Sequence, residues 1–328
     1  MELFRTVVNW TGSPEKIGYD SPILMLGSCF AENIGNILKT NKFDITLNPF
    51  GVVYHPIPAA QNLDRIIAGK PYAENELLFH SELWCSFDHH GHFSHTDINA
   101  CLRKINVELT RGRQQLAEAE WLFITFGTAW GYRLKDGRVV ANCHKYPASE
   151  FTRFRSDINQ ICDIWSDTIR KIKTFNPAIK IVFSVSPIRH LRDGAHENQL
   201  SKSTLLLAVE RLNHETATGY FPAYEIMLDE LRDYRFYNDD MTHPNSLAIK
   251  YIWQCFRGIY MTEDTCRIMK LVEEIVTASC HRPLHHTSGC RAFSSAYLEK
   301  IARLQERMPQ LDFTREIEIF ENIRQLSN

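Results

Sequence analysis

Ser28, Asp240 and His243 are the residues whose types and spacing could carry a reaction. Ser28 stands in Gly27-Ser28-Cys29-Phe30, after a short apolar run and before Ala31, Ile34, Ile37 and Leu38 at helical spacing. A serine at such a strand-to-helix turn faces free backbone N–H groups and the positive end of the helix dipole, both of which favour an oxyanion. Its hydroxyl is a weak nucleophile without an adjacent base. Asp239-Asp240-Met241-Thr242-His243-Pro244 offers that base. In Asp240-x-x-His243 the carboxylate can turn back to Nδ1 of His243, which leaves Nε2 for the serine and stabilises the imidazolium formed during attack. Pro244 biases His243 toward an extended loop conformation. Cys29 is a second candidate nucleophile. It ranks below Ser28, because its side chain leaves the turn in another direction and a free cysteine is usually buried.

These residues need a frame. Residues 22–26, 43–47, 121–126, 179–183 and 220–225 read as strands, the first and third as continuous apolar runs of the kind buried on both faces of a parallel sheet. Ile158, Ile161, Cys162, Trp165, Ile169 and Ile172 predict an amphipathic helix stopped at Asn176-Pro177, and Leu205, Ala208, Val209 and Leu212 predict another. Strands alternating with helices imply βαβ units and a mostly parallel sheet, whose ligands bind outside the carboxyl ends of the strands. Gly27-Ser28, the loop Asn48–Gly51, Gly127-Thr128 and Ser186-Pro187 all fall at such ends. Residues 56–120 and 130–150 read as insertions, the second with a hairpin around Lys135-Asp136-Gly137-Arg138. The expected organisation is one α/β domain over 1–260 and a helical extension over 261–328, a packed appendage or partner-binding element.

Gly27-Ser28-Cys29-Phe30-Ala31 resembles the signature of the GSCFA-domain proteins. Asn48-Pro49-Phe50-Gly51, Phe126-Gly127-Thr128-Ala129-Trp130, Asn142-Cys143-His144-Lys145, Ser201-Lys202-Ser203 and the segment from Arg232 to His243-Pro244 resemble the same family, so the likeness spans about 20–260. That family is similar to the SGNH/GDSL hydrolases. The resemblance implies a three-layer, flavodoxin-like α/β/α fold and ester cleavage, with Ser28 as nucleophile, His243 as base and Asp240 as orienter. It also implies backbone donation to the oxyanion at Gly51. The chain departs from the hydrolase pattern in two places. The turn is Gly-Ser-Cys instead of Gly-Asp-Ser, and Ala129 stands where those enzymes carry an oxyanion-donating Asn. Losing one such donor costs about 10²–10³ in rate. Asn48, Thr128 and Asn142 are the candidates to replace it, and Gly127 shares their rim. Arg189, with His190 and Lys202, is placed near the same rim to hold an anionic or sugar group.

The expected activity is therefore that of a serine esterase or acyl hydrolase, on an acylated carbohydrate or another small ester, with no metal or organic cofactor. The alternatives are an O-acyltransferase using the same triad, or a non-catalytic glycan- or partner-binding module, which Ala129 favours. The chain has 328 residues, a net charge of −2 and 23% charged residues, which removes the long-range pull of a basic protein on nucleic acid or anionic membrane. No run reaches the ~20 apolar residues of a membrane helix. The first residues, with Glu2 and no apolar stretch, do not read as a signal peptide. Nine cysteines with no CxxC pair suit a reducing cytoplasm. The histidines between Asp88 and His95 lack metal-ligand spacing and read as a solvated loop, as do His281, His285 and His286 around Pro283. There is no G-x-S-x-G, phosphate-binding P-loop or G-x-G-x-x-G, which argues against an α/β-hydrolase elbow, a nucleotide triphosphatase and a dinucleotide enzyme.

Overall fold

The computed structural model describes residues 6–10, 12–283, 285 and 287–327. Along the chain the elements are β1 (Ile23–Gly27), α1 (Cys29–Thr40), β2 (Ile45–Leu47), α2 (Pro56–Ala68), β3 (Leu78–His80), β4 (Leu83–Cys85) and α3 (Ile98–Glu118). There follow β5 (Trp121–Phe126), β6 (Trp130–Leu134), β7 (Val139–Val140), β8 (Phe151–Arg155), α4 (Ile158–Phe175), β9 (Lys180–Val185) and α5 (Ala195–Thr216). The last are β10 (Gly219–Phe221), α6 (Ala223–Glu225), α7 (Ser246–Tyr260), α8 (Glu263–Ser279), α9 (Ser288–Arg307) and α10 (Thr314–Leu326). They group into two compact units, one of 1–11, 22–35 and 45–256, the other of 12–21, 36–44 and 257–328.

The first unit is built on a five-stranded sheet in the order β2-β1-β5-β9-β10, every neighbouring pair parallel. Counting only these strands the order is 2-1-3-4-5, the flavodoxin-like arrangement, and the fold is a three-layer α/β/α sandwich. Period-two alternation divides each buried strand between two helical layers. Leu24, Leu26, Leu122, Ile124, Phe126, Ile181, Phe183 and Val185 join one core with residues of α2, α3, α4 and α5. On the other face Met25, Phe123, Val182 and Phe221 meet Phe30, Ala31 and Ile34 of α1 and Phe256 of α7.

The helix expected from Ile158 to Ile172 is α4. Asp157 and Gln160 cap it reciprocally, and the stripe Ile161, Cys162, Trp165, Ile169 and Ile172 is buried. Residues 56–120 supply α2 and α3, which contribute Leu63, Ile66, Ile105 and Leu109 to the core. The expected hairpin is β6–β7, widened by β8, which pairs antiparallel with β6. The fifth strand is shorter than expected. It ends at Phe221, and after Pro222 the chain turns helical in α6 and a π turn over Ile226–Glu230.

In the second unit α9 and α10 bury Ile301, Leu304, Phe320 and Ile323, and Tyr297 stacks on Phe320 at 5.3 Å. Tyr19 stacks on Phe43 at 4.2 Å, and Lys42 pairs with Glu316 at 2.7 Å. His281 and His285 lie between α8 and α9, outside both helices, while Glu2 and His286 lie outside the described residues. Among the described residues no helix is long and apolar enough to cross a membrane.

Candidate functional site

In a 2-1-3-4-5 sheet the connections after the first and third strands leave in opposite directions, which opens a crevice at their carboxyl ends. Here those strands are β1 and β5, and the crevice lies beside Gly27-Ser28-Cys29 and Gly127-Thr128. Gly27 has φ +143°, and a Cβ there would meet Thr125 O at 2.3 Å. The strand end therefore requires glycine. Gly27 N–H donates to Asn48 Oδ1 at 2.8 Å, and Ser28 N–H to Thr125 O at 3.3 Å.

Ser28 and Cys29 do different things at this turn. Ser28 is 0% exposed, its Oγ accepts from Phe30 N–H at 3.3 Å, and its carbonyl accepts from Glu32 N–H. It caps α1. Cys29, the first residue of α1, is half-buried, and its Sγ lies 3.1 Å from the Tyr54 hydroxyl. Burial and the bond to Cys29 push the Tyr54 phenol up, so it stays protonated, and either the phenol or the thiol can be the donor between them. Of the two side chains at the turn, that of Cys29 meets a polar neighbour in Tyr54, and that of Ser28 accepts one backbone N–H.

Asp240 and His243 are joined as the spacing predicts. Asp240 Oδ2 is 2.6 Å from His243 Nδ1, and Oδ1 accepts from Thr242 N–H at 2.8 Å and His243 N–H at 2.9 Å. The two backbone donors, His243 first, hold the carboxyl well below the usual carboxylate range. An ionised carboxylate only accepts, which places the imidazole proton on Nδ1 and leaves the lone pair on Nε2. The ring is 44% exposed, and Nε2 has no protein partner among the described residues. Arg189 N–H donates to Thr242 O at 3.2 Å, tying the loop after β9 to this turn.

Tyr54 and His190 lie between the dyad and Cys29. Their rings meet edge to face at 5.6 Å, and His190 is close enough to His243 to feel its charge. Burial first, then Lys202, His243 and Arg153, lower His190 to about 4, so it is neutral near pH 7. Its Nε2 is buried without a partner among the described residues. No hydrogen bond joins Ser28 or Cys29 directly to His243 among the described residues; the sulfur and the imidazole are linked through this aromatic pair.

Lys202 is 0% exposed, and its Nζ donates to Gly127 O and Ser186 O, both at 2.6 Å. It fastens the carboxyl ends of β5 and β9 together. Burial, then Arg189, brings it down to about 7. Ser201, the residue before it, accepts from Ala129 N–H at 2.8 Å and meets Thr128 Oγ1 at 3.1 Å.

Two of the expected oxyanion donors are occupied, those of Gly51 and Thr128. Gly51 N–H donates to Asn48 O at 2.7 Å. Thr128 Oγ1 is taken up by Ser201 and by Trp130 N–H, and its own N–H donates to Tyr54 O. Asn142 Oδ1 accepts from His144 N–H in a turn whose backbone bonds to Phe87. Asn48 is different. It is 6% exposed, and Nδ2 has no partner among the described residues while Oδ1 holds Gly27. The expected solvated loop at Asp88–His95 is partly internal, since His89 is 1% exposed and stacks on Phe50 at 4.6 Å.

Tyr54 and Ser201 are the site residues the sequence reading passed over. One signal was present for Ser201 and Lys202: with Asn198 they continue the three- and four-residue spacing of the buried stripe Leu205, Ala208, Val209 and Leu212. Polar residues on a core-facing stripe mark a place where the core meets something polar.

Comparison with known proteins adds the following. The family model described as GSCFA family matches residues 22–256, and that of the GSCFA domain protein, C-terminal domain, matches 272–325. No match is found among curated proteins. Among solved structures, a carbohydrate esterase family 3 protein from Talaromyces cellulolyticus is similar, with 9% identity and a TM-score of 0.36 over 77% of this chain and 99% of that one. The first family match runs from β1 into α7 and includes every residue of the crevice described above. The chain belongs to the GSCFA family.

Proposed function

We propose that the protein hydrolyses or transfers an acyl group in the crevice at the carboxyl ends of β1 and β5. The observation that carries this reading is the Asp240–His243 contact of 2.6 Å, which fixes one tautomer and leaves Nε2 unpartnered among the described residues. In the proposed reaction a side chain of the β1–α1 turn attacks the acyl carbonyl. His243 Nε2 takes its proton and returns a proton to the leaving group, and Asp240 orients the ring and stabilises the imidazolium. The start of α1 and the Asn48 amide meet the oxyanion. Catalytic hydrogen bonds often tighten only when substrate is bound.

The test is turnover of a panel of short acyl donors, aryl acetate and acetyl thioester included, by the protein and by its His243→Ala variant. The expected result is measurable turnover that falls by about 10⁴ or more without the imidazole. No turnover of any donor, or equal turnover by both proteins, would overturn the reading and leave a crevice that binds without reacting.

A further inference from the structure

We propose that Cys29 is the nucleophile and that its acyl donor is a thioester. This rests on the acyl-transfer reading above and narrows it. Four observations meet at Cys29. The Ser28 hydroxyl is fully buried and accepts the Phe30 N–H as a helix cap. The sulfur begins α1, where negative charge is met by the free N–H groups of the first turn. The Tyr54 hydroxyl stands 3.1 Å from it, within hydrogen-bond distance. Asn48, more than nine-tenths buried and held against the same turn by Gly27, keeps two amide hydrogens with no partner among the described residues. A buried, unpartnered donor is costly unless something occupies it for part of the cycle, and the oxyanion of an acyl-transfer intermediate is such an acceptor.

The donor class follows from the leaving groups. When a thiolate adds to an alkyl ester, the intermediate holds one sulfur and one far more basic alkoxide, and it expels the sulfur unless the alkoxide is protonated as it leaves. When the donor is itself a thioester, the two sulfurs are of similar basicity and the forward step needs no such help. In the first half-reaction Cys29 S–H and R–CO–SR′ become Cys29 S–CO–R and R′SH. The C–S bond to Cys29 forms, the C–S bond to the donor breaks, and the proton passes through His243 to the departing sulfur. In the second, water or an alcohol R″OH gives its proton to His243, its oxygen takes the acyl group, and the proton returns to the Cys29 sulfur. No oxidant or metal enters the balance.

The experiment exposes the protein to a short acetyl thioester and to the matching alkyl ester, then quenches in acid for intact mass and peptide mapping. The expected adduct is one acetyl group on Cys29, removed by neutral hydroxylamine as thioesters are, with the thioester consumed faster than the alkyl ester. Cys29→Ala and Cys29→Ser should each lose turnover by about 10⁴–10⁶. The mapping on the unaltered protein does not depend on how well either variant folds. Acetyl on Ser28, acetyl on the exposed Cys280 as fast as on Cys29, or full turnover by Cys29→Ala would overturn the thiol assignment while the acyl-transfer reading stands. Faster turnover of the alkyl ester with Cys29 acylated would overturn the donor class. No adduct and no turnover of either donor would overturn this proposal together with the reading it rests on.

Discussion

Lys202→Met separates two ways in which a buried ammonium can hold a sheet edge. Lys202 has no exposed surface and binds two backbone carbonyls, from Gly127 and Ser186. If burial dominates, the side chain releases its proton at about pH 7 in the folded state and near its ordinary 10.5 in the unfolded one. Below about pH 7 both states are charged, and the folded protein bears the full cost of the buried charge. Between about 7 and 10.5 the unfolded chain binds the extra proton, so stability rises with pH by up to about 1.4 kcal/mol per pH unit. The whole span sets an upper limit of about 5 kcal/mol, reduced by whatever the two carbonyls return to the charged form. Methionine fills a similar volume without titrating, but it leaves both carbonyls short of a donor at about 1–3 kcal/mol each. The assay is urea unfolding of both proteins from about pH 7 to about pH 9.5, where the difference between them cancels every group they share. The wild-type protein should gain on the variant by about 1 kcal/mol per pH unit. A difference that stays flat across this range would refute the reasoning, and would mean that the carbonyl pair keeps the ammonium charged against its burial.

Two further outcomes are expected. Asp240→Asn should leave the fold intact, because the Asn carbonyl can still accept from the N–H groups of Thr242 and His243, but its amide faces His243 Nδ1 and selects the wrong tautomer; kcat on the best donor should fall by about 10⁴, and a fall under about tenfold would remove Asp240 from the orienting role. Gly27→Ala places a methyl 2.3 Å from Thr125 O at φ +143°, so thermal melting should show a loss of roughly 3 kcal/mol or more, and a variant that melts with the wild-type protein would contradict the close approach of β1 and β5.

The framework was legible wherever burial alone decides the pattern. β1, β5 and α4 come from continuous apolar runs and a clean stripe, and the structure places them within a residue or two of expectation. β10 was overextended because Tyr220 to Glu225 looks strand-like in composition, while Pro222 and the polar partner found by Tyr220 in Glu225 make a corner there. The strand β8 was missed because its register sets Arg153 opposite Tyr132 and Arg155 opposite Trp130. These are arginine-over-aromatic pairs that no hydrophobic alternation announces. Within the site, Asp240 and His243 were legible because their pairing is local, three residues apart. The surroundings of Ser28 and Cys29 were not. Which of two adjacent side chains leaves the turn depends on where the first helical residue falls, and one residue of helix rotates a side chain by about 100°. Tyr54 reaches the sulfur from a loop twenty-five residues away, a juxtaposition created where the loop after β2 returns to the end of β5 and Gly127 and Thr128 donate to Tyr54 O.

The second unit has a consequence for how the chain is made. Its segments 12–21 and 36–44 are synthesised early, yet their partners come last: Lys42 binds Glu316, 274 residues on, and Thr265 binds Ile17 across 248. At about 5–20 residues per second on the ribosome, Tyr19 and Phe43 wait tens of seconds for the helices that complete their surroundings. Such distant closures are slow to form and are made after local ones. The β1–α1–β2 unit of the crevice is therefore assembled while the segment before it and the end of α1 still lack their late partners. A translation pause before α8 would leave Tyr19 without its late neighbours Cys266 and Glu273, and one before α10 would leave Lys42 without Glu316. Chaperone capture of nascent chains should accordingly persist until residues beyond 316 have emerged.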